Sequence, residues 1–412
     1  MALPKVIPAL ADLTQDIAGP VPVSLLYAWA AGDQDAARAV TLLDPFRVEG
    51  TVVSSDTSGL SRLTKEKDLL DVLALVSEPK QILHGVGVEI GGRPIGTWVA
   101  DNTQIFYPAS IEPPAVVGGM SEAEHRISCD LPTSVGMCVH HGAFYELGGG
   151  LYGHDAHLVD TLAEHYAGAG EILVTQAVRD TCPPEFTFRR RDDLTARAGA
   201  GVFSLTGAPR LPHLEGGDRR YPHPYPAEFF DLLTGLKQAD GTADLRQRIY
   251  DTYLKQLVVV FIARAREEGR AWDGAALLDE LVTNVLMDAL VGGVDSIRGH
   301  VAGLGGGLGI LTFETPREAL DAAETLRRRF DANGLPIKIG MAGGPVLFFS
   351  NPRGPSGIAG SPVNIASKLS EDRGIAGRIQ IAANVAAQLT GLEGGEPFEI
   401  VIGGVALYGV AV

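Results

Sequence analysis

The sequence predicts a mixed α/β protein built from two similar domains, and three observations support that fold class. Its 51 glycines cluster with short β-branched runs and with segments of helical spacing, a pattern typical of alternating strands, helices and tight turns. The order of strand, helix and hairpin-like segment occurs once in each half of the 412 residues. The segment that begins at Gly153 also aligns without a gap with the segment that begins at Gly360, 207 positions later.

The first half contains a strand, a helix and a hairpin in that order. The run VEGTVVSSD predicts a strand that ends at Asp56. Within the next segment, TSGLSRLTKEKDLLDVLALVSEPKQIL, apolar residues from Leu69 to Leu83 recur at helical spacing and predict a helix that follows the candidate N-cap Thr64. The segment RPIGTWVADNTQIFYP predicts a β-hairpin with Ala100, Asp101 and Asn102 at its turn.

The second half repeats this order. KQLVVVFIA predicts an apolar strand, GAALLDELVTNVLMDALVG predicts a helix, and GLGGGLGILTF predicts a glycine-rich turn that leads into a strand. The offset of 207 positions pairs Glu164 with Glu371, and it sets Asp56 against Ala263 at the end of the first strand. We therefore expect two homologous domains.

The predicted domains span about residues 46–205 and 253–412. Residues 1–45 are predicted to form an N-terminal helical segment. Residues 206–252 are predicted to be a connector, because they contain the proline-, histidine- and glycine-rich stretch GAPRLPHLEGGDRRYPHPYP. Aromatic residues around this connector are expected to pack against one another rather than to stack on bases, and they are Phe186, Phe188, Phe203, Tyr221, Tyr225, Phe229 and Phe230.

The composition argues against several classes of function. With 34 basic and 50 acidic residues the formal net charge is -16, so no general attraction to nucleic acid or to an anionic membrane surface is expected. The three cysteines form no CxxC pair, which indicates a reducing compartment. No apolar run approaches the roughly 18 residues of a membrane span, and the first residues lack the apolar stretch of a signal peptide. We expect a cytoplasmic protein.

Two carboxylates are candidates for a metal site. Asp56 ends a predicted strand and Asp101 lies at a hairpin turn 45 positions later, so adjacent strands would bring both to one point. Paired carboxylates bind Mg²⁺ together with substrate phosphates, although isolated turn aspartates more often cap a turn or face solvent. A small glycine-containing turn follows Asp56, and backbone N–H groups at such a turn into a helix bind phosphate. This turn consists of Thr57, Ser58, Gly59, Leu60 and Ser61.

At these residues the sequence resembles the class III nucleotidyl (adenylyl and guanylyl) cyclases. The turn that begins at Asp56 matches the family's Asp-x-x-Gly-Phe-[ST], with Leu60 in place of the phenylalanine, and Ala100 with Asp101 matches its hairpin Gly-Asp. The run GSPVNIASKL, residues 360–369, matches the family's Gly-x-x-Val-Asn-x-Ala-x-Arg-Leu, with Lys368 in place of the arginine. The resemblance covers both repeats.

The resemblance implies a fold and a partner arrangement. It implies two α+β domains of the ferredoxin-like βαββαβ type that face each other head to tail as a pseudo-dimer. We expect a monomer with intramolecular domain pairing, with a dimer as the alternative. Each half departs from the family pattern, since the first has His157 and Thr161 at the Asn and Arg positions, while the second has Ala263 and a residue near Gly307 at the metal positions. These defects are complementary, so one site would be complete and the other degenerate.

The resemblance also implies an activity. Asp56, Thr57 and Asp101 would hold two Mg²⁺ or Mn²⁺ ions, and the turn at residues 57–61 would bind the phosphates. Asn364 would orient the ribose and Lys368 would neutralise transition-state charge. The product would be a 3',5'-cyclic nucleotide with release of pyrophosphate. ATP is the default substrate because it is the common one. GTP and the pyrimidine triphosphates stay open, since the family's base-selecting positions fall near Gly303 and Gly357, which carry no side chain.

Alternative functions remain at this stage. His140, His141, His154, Asp155 and His157 suit a transition metal, so a metal-dependent phosphohydrolase is one alternative. GLGGGLG, residues 303–309, matches a dinucleotide-binding loop poorly, because a strand rather than a helix follows it. From a different class, the chain could be a non-catalytic, cyclase-like nucleotide sensor that signals through a partner.

Overall fold

The computed structural model describes residues 17–18, 21–58, 67–98, 102–199, 201–209, 220–236, 242–265, 273–292, 299–305, 307–350, 357–371, 374–392, 394–402 and 405–412. None of the helices in these ranges is both long enough and apolar enough to cross a membrane.

A short helical segment precedes the first domain. The two-residue strands β1 (Ile17–Ala18) and β2 (Val21–Pro22) pair antiparallel and lead into α1 (Val23–Ala30). α2 (Ala36–Leu43) begins at Asp35, whose carboxylate accepts a hydrogen bond from a backbone N–H of the helix's first turn. The described part of residues 1–45 thus contains two short helices and one small strand pair.

The first domain is an eight-stranded sheet covered by helices. Its strands lie in the order β4-β5-β3-β6-β8-β10-β9, with β7 paired to β6, and β6 with β8 is the parallel pair. The elements are β3 (Arg47–Thr57), α3 (Leu69–Glu89), β4 (Arg93–Pro94), β5 (Thr103–Pro108), α4 (Pro113–Asp130), β6 (Val135–Leu147), β7 (Gly150–Tyr152), α5 (His154–His165), β8 (Ile172–Thr175), α6 (Gln176–Arg179), β9 (Thr187–Arg190), α7 (Asp192–Ala198) and β10 (Val202–Gly207).

The second domain has the same strand order. It runs β12-β13-β11-β14-β16-β18-β17, with β15 paired to β14. The preceding helices and the domain's elements are α8 (Ala227–Gly235), α9 (Thr242–Tyr253), β11 (Leu254–Arg264), α10 (Gly274–Gly292), β12 (His300–Gly305), β13 (Leu308–Phe313), α11 (Pro316–Ala332), β14 (Ile337–Phe349), β15 (Gly357–Ala359), α12 (Ser361–Ser370), β16 (Ile379–Ala382), α13 (Ala383–Ala386), β17 (Glu396–Ile402) and β18 (Val405–Ala411). The prediction of two similar mixed α/β domains is confirmed.

The internal repeat is visible in the element positions. β3 and β11 start 207 positions apart. The same offset separates the starts of α5 and α12, at residues 154 and 361. β4 pairs with β5, as the predicted hairpin requires, although Ala100 and Asp101 of its predicted turn lie outside the described residues, and β12 pairs with β13. The glycine-rich run continues into strand β13, as expected, and does not open a helix.

The first long helix begins later than predicted. α3 starts at Leu69 with Asp68 as its N-cap, so the prediction of Thr64 as the N-cap is wrong, and residue 64 lies outside the described residues. Arg246 explains the observed start, because its guanidinium donates to Asp68 at 2.9 Å and also to Asp71 in the helix's first turn. Carboxylates in a first turn are further stabilised by the helix dipole.

Each domain is preceded by a pair of helices that packs on the other domain. The α1–α2 pair packs on α10, where the indole of the fully buried Trp29 donates to Asp279 at 2.9 Å. The α8–α9 pair lies inside the predicted connector and packs on α3, where Phe229 and Leu233 share a core with Leu70. The connector therefore contains two packed helices as well as loops. The described aromatic residues of this region are packed, as expected, with Tyr221, Phe229 and Phe230 buried.

The two domains also contact each other reciprocally. Leu147, at the end of β6, is buried in the core that contains the α10 residues of the second domain. Leu347 and Phe349, at the corresponding end of β14, are buried with Leu70 and Ala74 of α3. Each domain thus extends one strand end onto the first long helix of the other, which is a head-to-tail arrangement.

Candidate functional site

Asp56 lies at the end of the central strand of the first domain. Strand side chains alternate between faces, so Asp56 shares a face with Val52 and Ser54. Val52 packs against Ala156 and Val159 of α5, which identifies this as the face that α5 covers. Asp56 is half-buried there, opposite Gly136 of β6.

The residues after Asp56 differ in the groups that they can offer to a metal ion or a phosphate. The side chain of Thr57 is buried and points to the opposite face of the sheet, so Thr57 can reach a metal held by Asp56 only through its main-chain carbonyl. The N–H of Ser58 already donates to the carbonyl of Ser134 at 2.9 Å. Gly59, Leu60, Ser61 and Asp101 lie outside the described residues, so their predicted roles stay predictions.

The donor type at this strand end fits a hard divalent cation. Mg²⁺ and Mn²⁺ prefer carboxylate and carbonyl oxygens, and Asp56 supplies a carboxylate beside the Thr57 carbonyl. Ser55 of β3, directly before Asp56, pairs with Thr103 of β5, while the predicted second ligand Asp101 lies outside the described residues. Within the described ranges there is no group of three or more His, Cys, Asp or Glu side chains that could hold a metal.

A polar cluster joins the two strands that lead to these positions. Gln104 of β5 donates from its amide to Asp160 of α5 at 2.9 Å. The hydroxyl of Ser54 hydrogen-bonds to the same carboxylate and lies 3.3 Å from the carbonyl of Thr103. Burial raises the pKa of Asp160, although the hydrogen bonds from Ser54 and Gln104 oppose that effect. Sequence reasoning did not identify this cluster, since its members come from three separate elements.

A second set of contacts holds the hairpin from the other side of the sheet. The buried ammonium of Lys80 in α3 donates to the carbonyl of Trp98 at 3.0 Å. The Trp98 indole stacks on Tyr221 with ring centroids 5.7 Å apart, and its backbone N–H donates to the carbonyl of Pro222 at 2.7 Å. The chain just before the predicted turn at Asp101 is therefore fixed by both α3 and the segment that precedes α8.

Asn364 and Lys368 lie one turn apart on α12 of the second domain, so they share one helix face. Both are half-buried, whereas Ala366 and Leu369 on the opposite side are fully buried against the sheet. Gly340 allows this close packing, because a Cβ there would lie 2.1 Å from the carbonyl oxygen of Ala366. At the position that corresponds to Asp56, this domain has Ala263, a buried strand residue with no side-chain oxygen.

The histidine-rich segment of the first domain forms separate contacts. His140 and His141 are adjacent on β6 and so point to opposite faces. The Nδ1 of His140 lies 2.9 Å from the Thr175 hydroxyl, while the Nδ1 of His141 lies 3.0 Å from the Thr51 hydroxyl. Two adjacent residues on opposite faces cannot share a metal, which argues against the predicted phosphohydrolase alternative.

Asp155 anchors the start of α5 next to His140. Its Oδ2 accepts a hydrogen bond from the Ala143 N–H at 2.9 Å, and its Oδ1 lies 3.5 Å from the Nε2 of His140. Burial on its own would raise the pKa of Asp155, but the hydrogen bonds from His140 and Ala143 outweigh it, and the pKa is lowered. Asp155 is therefore an ionised structural anchor, while His157 on the same helix is exposed.

The two glycines at the base-selecting positions have close neighbours. A Cβ at Gly357 would lie 3.2 Å from both the Phe349 side chain and the carbonyl oxygen of Pro224. A Cβ at Gly303 would lie 3.3 Å from Ile310. Both glycines are half-buried, and neither presents a polar side chain to a base.

No protein-family model and no curated protein matches this chain, but its fold is similar to solved structures of class III cyclases. A class III adenylyl cyclase-like ATP-binding protein from Pseudomonas aeruginosa matches with a TM-score of 0.51 and 11% identity, over 84% of this chain and 85% of that one. The adenylyl cyclase CyaB from P. aeruginosa covers 40% of this chain and 98% of its own, with 16% identity and a TM-score of 0.35. The guanylate cyclase domain of RhGC from Catenaria anguillulae covers 39% and 98%, with 11% identity and a TM-score of 0.35. Since the first similarity extends over both domains, the chain has the class III cyclase fold in tandem.

Proposed function

We propose that this tandem class III cyclase fold forms a nucleotidyl cyclase, which converts a nucleoside triphosphate, by default ATP, to a 3',5'-cyclic nucleotide and pyrophosphate. The observation that carries the proposal is the complementary division of polar residues between two domains of one fold. Asp56 ends β3 where the second domain has Ala263, while Asn364 and Lys368 lie on α12 where the first domain has His157 and Thr161.

The reciprocal packing of the domains supports one combined site. Each domain extends a strand end onto the other's first long helix, so the two domains pack as one unit. In the proposed site Asp56 and Asp101 of the first domain act with Asn364 and Lys368 of the second. The symmetry-related site would combine Ala263 with His157 and Thr161, and it would be inactive.

The proposed reaction needs one nucleophile and one leaving group. The ribose 3'-oxygen attacks the α-phosphorus in line, the bond from this phosphorus to the bridging oxygen breaks, and pyrophosphate leaves while the hydroxyl proton passes to solvent. Divalent ions held by Asp56, Asp101 and the Thr57 carbonyl would supply Lewis-acid activation of the hydroxyl and charge neutralisation of the triphosphate. Asn364 would orient the ribose, and Lys368 would neutralise charge that develops on the α-phosphoryl oxygens.

A cyclase-like nucleotide sensor is the second candidate. The glycines at positions 303 and 357 favour it, since they carry no side chain that could select a base. The solved structure that matches over 84% of this chain is described as a class III adenylyl cyclase-like ATP-binding protein. Asp56 argues against it, because a binding module has less need of a carboxylate at the strand end.

The decisive experiment incubates the full chain with ATP, GTP, CTP or UTP and Mn²⁺, and measures cyclic product by mass spectrometry. We expect one or more cyclic nucleotides, none of them formed in EDTA or by Asp56→Ala. If none of the triphosphates gives product but thermal stability rises with one of them, the sensor is the correct function.

A further inference from the structure

The segment just before α8, residues 221–226, bridges the two domains, and we call it the strap. At its start the backbone N–H of Trp98, in the first domain, donates to the carbonyl of Pro222 at 2.7 Å. Near its end the ring of Tyr225 lies 5.5 Å, centroid to centroid, from the ring of Phe349 in the second domain. Tyr225 packs against the core of the first domain as well as against the cluster that contains Phe349.

His223 lies in the middle of the strap, within a group of aromatic rings. Its imidazole is nearly parallel to the Phe230 ring of α8, with centroids 4.1 Å apart and planes 5° apart. The Tyr225 ring stacks at 6.2 Å, and the Tyr221 ring is close to perpendicular at 5.9 Å. The Nδ1 atom of His223 is buried. The middle of the strap is therefore packed on α8 through a titratable ring.

The surroundings of His223 suit a neutral imidazole better than a charged one. Burial of the ring lowers the pKa of His223, and Arg220 adds to this effect, against the opposing influence of a backbone hydrogen bond at Tyr225 and of Asp231. The carboxylate of Asp231 is already paired with the Arg220 guanidinium at 2.9 Å. It therefore compensates Arg220 rather than a second positive charge on the imidazole.

Two titratable groups of α3 lie beside the first part of the strap. The ammonium of Lys80 is 5.5 Å from the centroid of the Tyr221 ring. The His84 ring is 5.8 Å from the Trp98 ring. Both groups are neutral or positive, so neither supplies a negative charge that could stabilise a protonated His223.

We propose that the strap is an acid-sensitive clasp between the two domains, closed while His223 is neutral and opened when its imidazole binds a proton. A charged group in an enclosed site costs free energy unless it is paired and hydrogen-bonded, and Nδ1 is enclosed here. Once the strap is open the ring has an ordinary pKa of about 6.5. The contribution of His223 to the closed clasp is therefore complete above about pH 6.5, and it is lost as pH falls through the lower pKa of the closed form.

The test is hydrogen exchange by mass spectrometry on the full-length chain at pH 8 and pH 5.5, with rates divided by the intrinsic rates at each pH. Peptides that contain Trp98 report on the clasp, because the Trp98 N–H bonds to the strap. Their protection factor in the wild type should fall by at least about threefold at pH 5.5. In His223→Phe, which keeps an aromatic ring but binds no proton, the two values should agree within about twofold.

Three further variants locate the titrating group. Arg220→Gln leaves Asp231 free to pair with a protonated His223, so the effect of pH should shrink. Arg220 is exposed, so this variant remains informative if His223→Phe does not fold. His84→Phe should keep the full effect of pH. His165→Gln is the matched control, since it removes an exposed histidine from α5, and it should also keep the full effect.

Peptides that contain Phe349 test whether the strap joins the domains. They should lose protection at pH 5.5 together with the Trp98 peptides, and a response of the Trp98 peptides alone would contradict a clasp between domains. Equal protection of the wild type at both pH values would overturn the proposal. An undiminished effect of pH in His223→Phe, or its loss in His84→Phe, would also overturn it, because the proton would then bind elsewhere.

Discussion

Asp56 is a half-buried carboxylate at the end of a strand whose preceding residues are buried. The sheet face on which Asp56 lies follows from the alternation of side chains along β3, and this alternation can be predicted from the sequence. The neighbours on that face are a valine that packs on α5 and a serine that bonds to Asp160. Asp56 therefore lies at the boundary between the apolar centre of the sheet and its polar end, where a cation could be held with little disturbance of the core.

Replacement of Asp56 tests the metal assignment. Asp56→Ala should abolish metal-dependent product formation, and we expect the same of Asp101→Ala, because each removes a metal ligand rather than core volume. The Tm in the absence of metal should change by no more than about 2 °C. Product formation is measured by mass spectrometry and Tm by circular dichroism. Glu49→Ala is the control, since it removes an exposed acid from the same strand. Turnover within tenfold of wild type in either variant would remove the assignment.

Replacement of Lys368 tests the transition-state role. Lys368→Ala should lower kcat by roughly 10² to 10³, about 2.7 to 4 kcal/mol, if the ammonium stabilises charge formed only in the transition state. Lys368→Arg should be tolerated or faster, because a guanidinium can bind a phosphoryl group through two hydrogen bonds. Thr161→Ala, at the corresponding position of α5, should leave kcat unchanged. kcat is measured by steady-state kinetics with saturating Mn²⁺. If Lys368→Ala has the kcat of the wild type, another residue stabilises the transition-state charge.

The residues that sequence reasoning identified belong to local motifs, and those it missed do not. Asp56, Asn364 and Lys368 are recognised within a few neighbouring positions. Asp160 is hydrogen-bonded by Ser54 and Gln104, which are 106 and 56 positions away in the chain. Lys80 likewise contacts Trp98 only because α3 packs behind the hairpin. Such contacts depend on tertiary packing, so no local pattern predicts them.

At the level of elements, strands and hairpins were predicted well because their signals are local. The apolar run VVVFIA predicts β11, and the apolar run ILTF predicts β13. The start of α3 was missed because Arg246, 178 positions from Asp68, stabilises it. The helices α8 and α9 were missed because proline- and glycine-rich neighbours dominated the composition of the predicted connector.

In helix α10, the carboxylate of Asp288 is expected to lower the stability of the folded state. Asp288 has a buried Oδ1 with no hydrogen-bond partner among the described residues, and burial raises the pKa of Asp288 to about 6. The folded state therefore binds this proton more tightly than the unfolded state, so the contribution of Asp288 to stability falls as pH rises from about 4 through about 6. Asp288→Asn should raise stability at pH 8 by about 1 to 2 kcal/mol, allowing for partial exposure, and much less at pH 5.

Thermal unfolding followed by circular dichroism at pH 5 and pH 8 checks this expectation. The difference in Tm between Asp288→Asn and wild type should widen as pH rises. Asp331→Asn, an exposed acid on the neighbouring helix α11, is the control and should show no such widening. A difference that is equal at both pH values would show that ionisation of Asp288 is not the cause.

At the scale of the whole molecule, each domain is held to the other by a helix pair that precedes one domain in the chain and packs on the other. The α1–α2 pair precedes the first domain but packs on α10 of the second, and the α8–α9 pair precedes the second but packs on α3 of the first. The strand ends at Leu147 and Leu347 cross in the same reciprocal way. The repeat was readable in the sequence from an offset of 207 positions, but this exchange was not, because it depends on which surface each apolar helix covers.

The exchange leads to the last prediction, which concerns where the site is assembled. If both domains of one site come from one chain, specific activity should not fall on dilution, and mixing Asp56→Ala with Lys368→Ala chains should restore nothing. Tethered domains have effective concentrations of about one millimolar, well above the concentration of a free partner, and this favours a site built within one chain. Activity is measured after the two variants are unfolded together and refolded, so that exchange is possible, with separately refolded wild type as the control. Recovered activity would mean that the first domain of one chain pairs with the second domain of another, since only such a mixed dimer contains an intact Asp56 facing an intact Lys368.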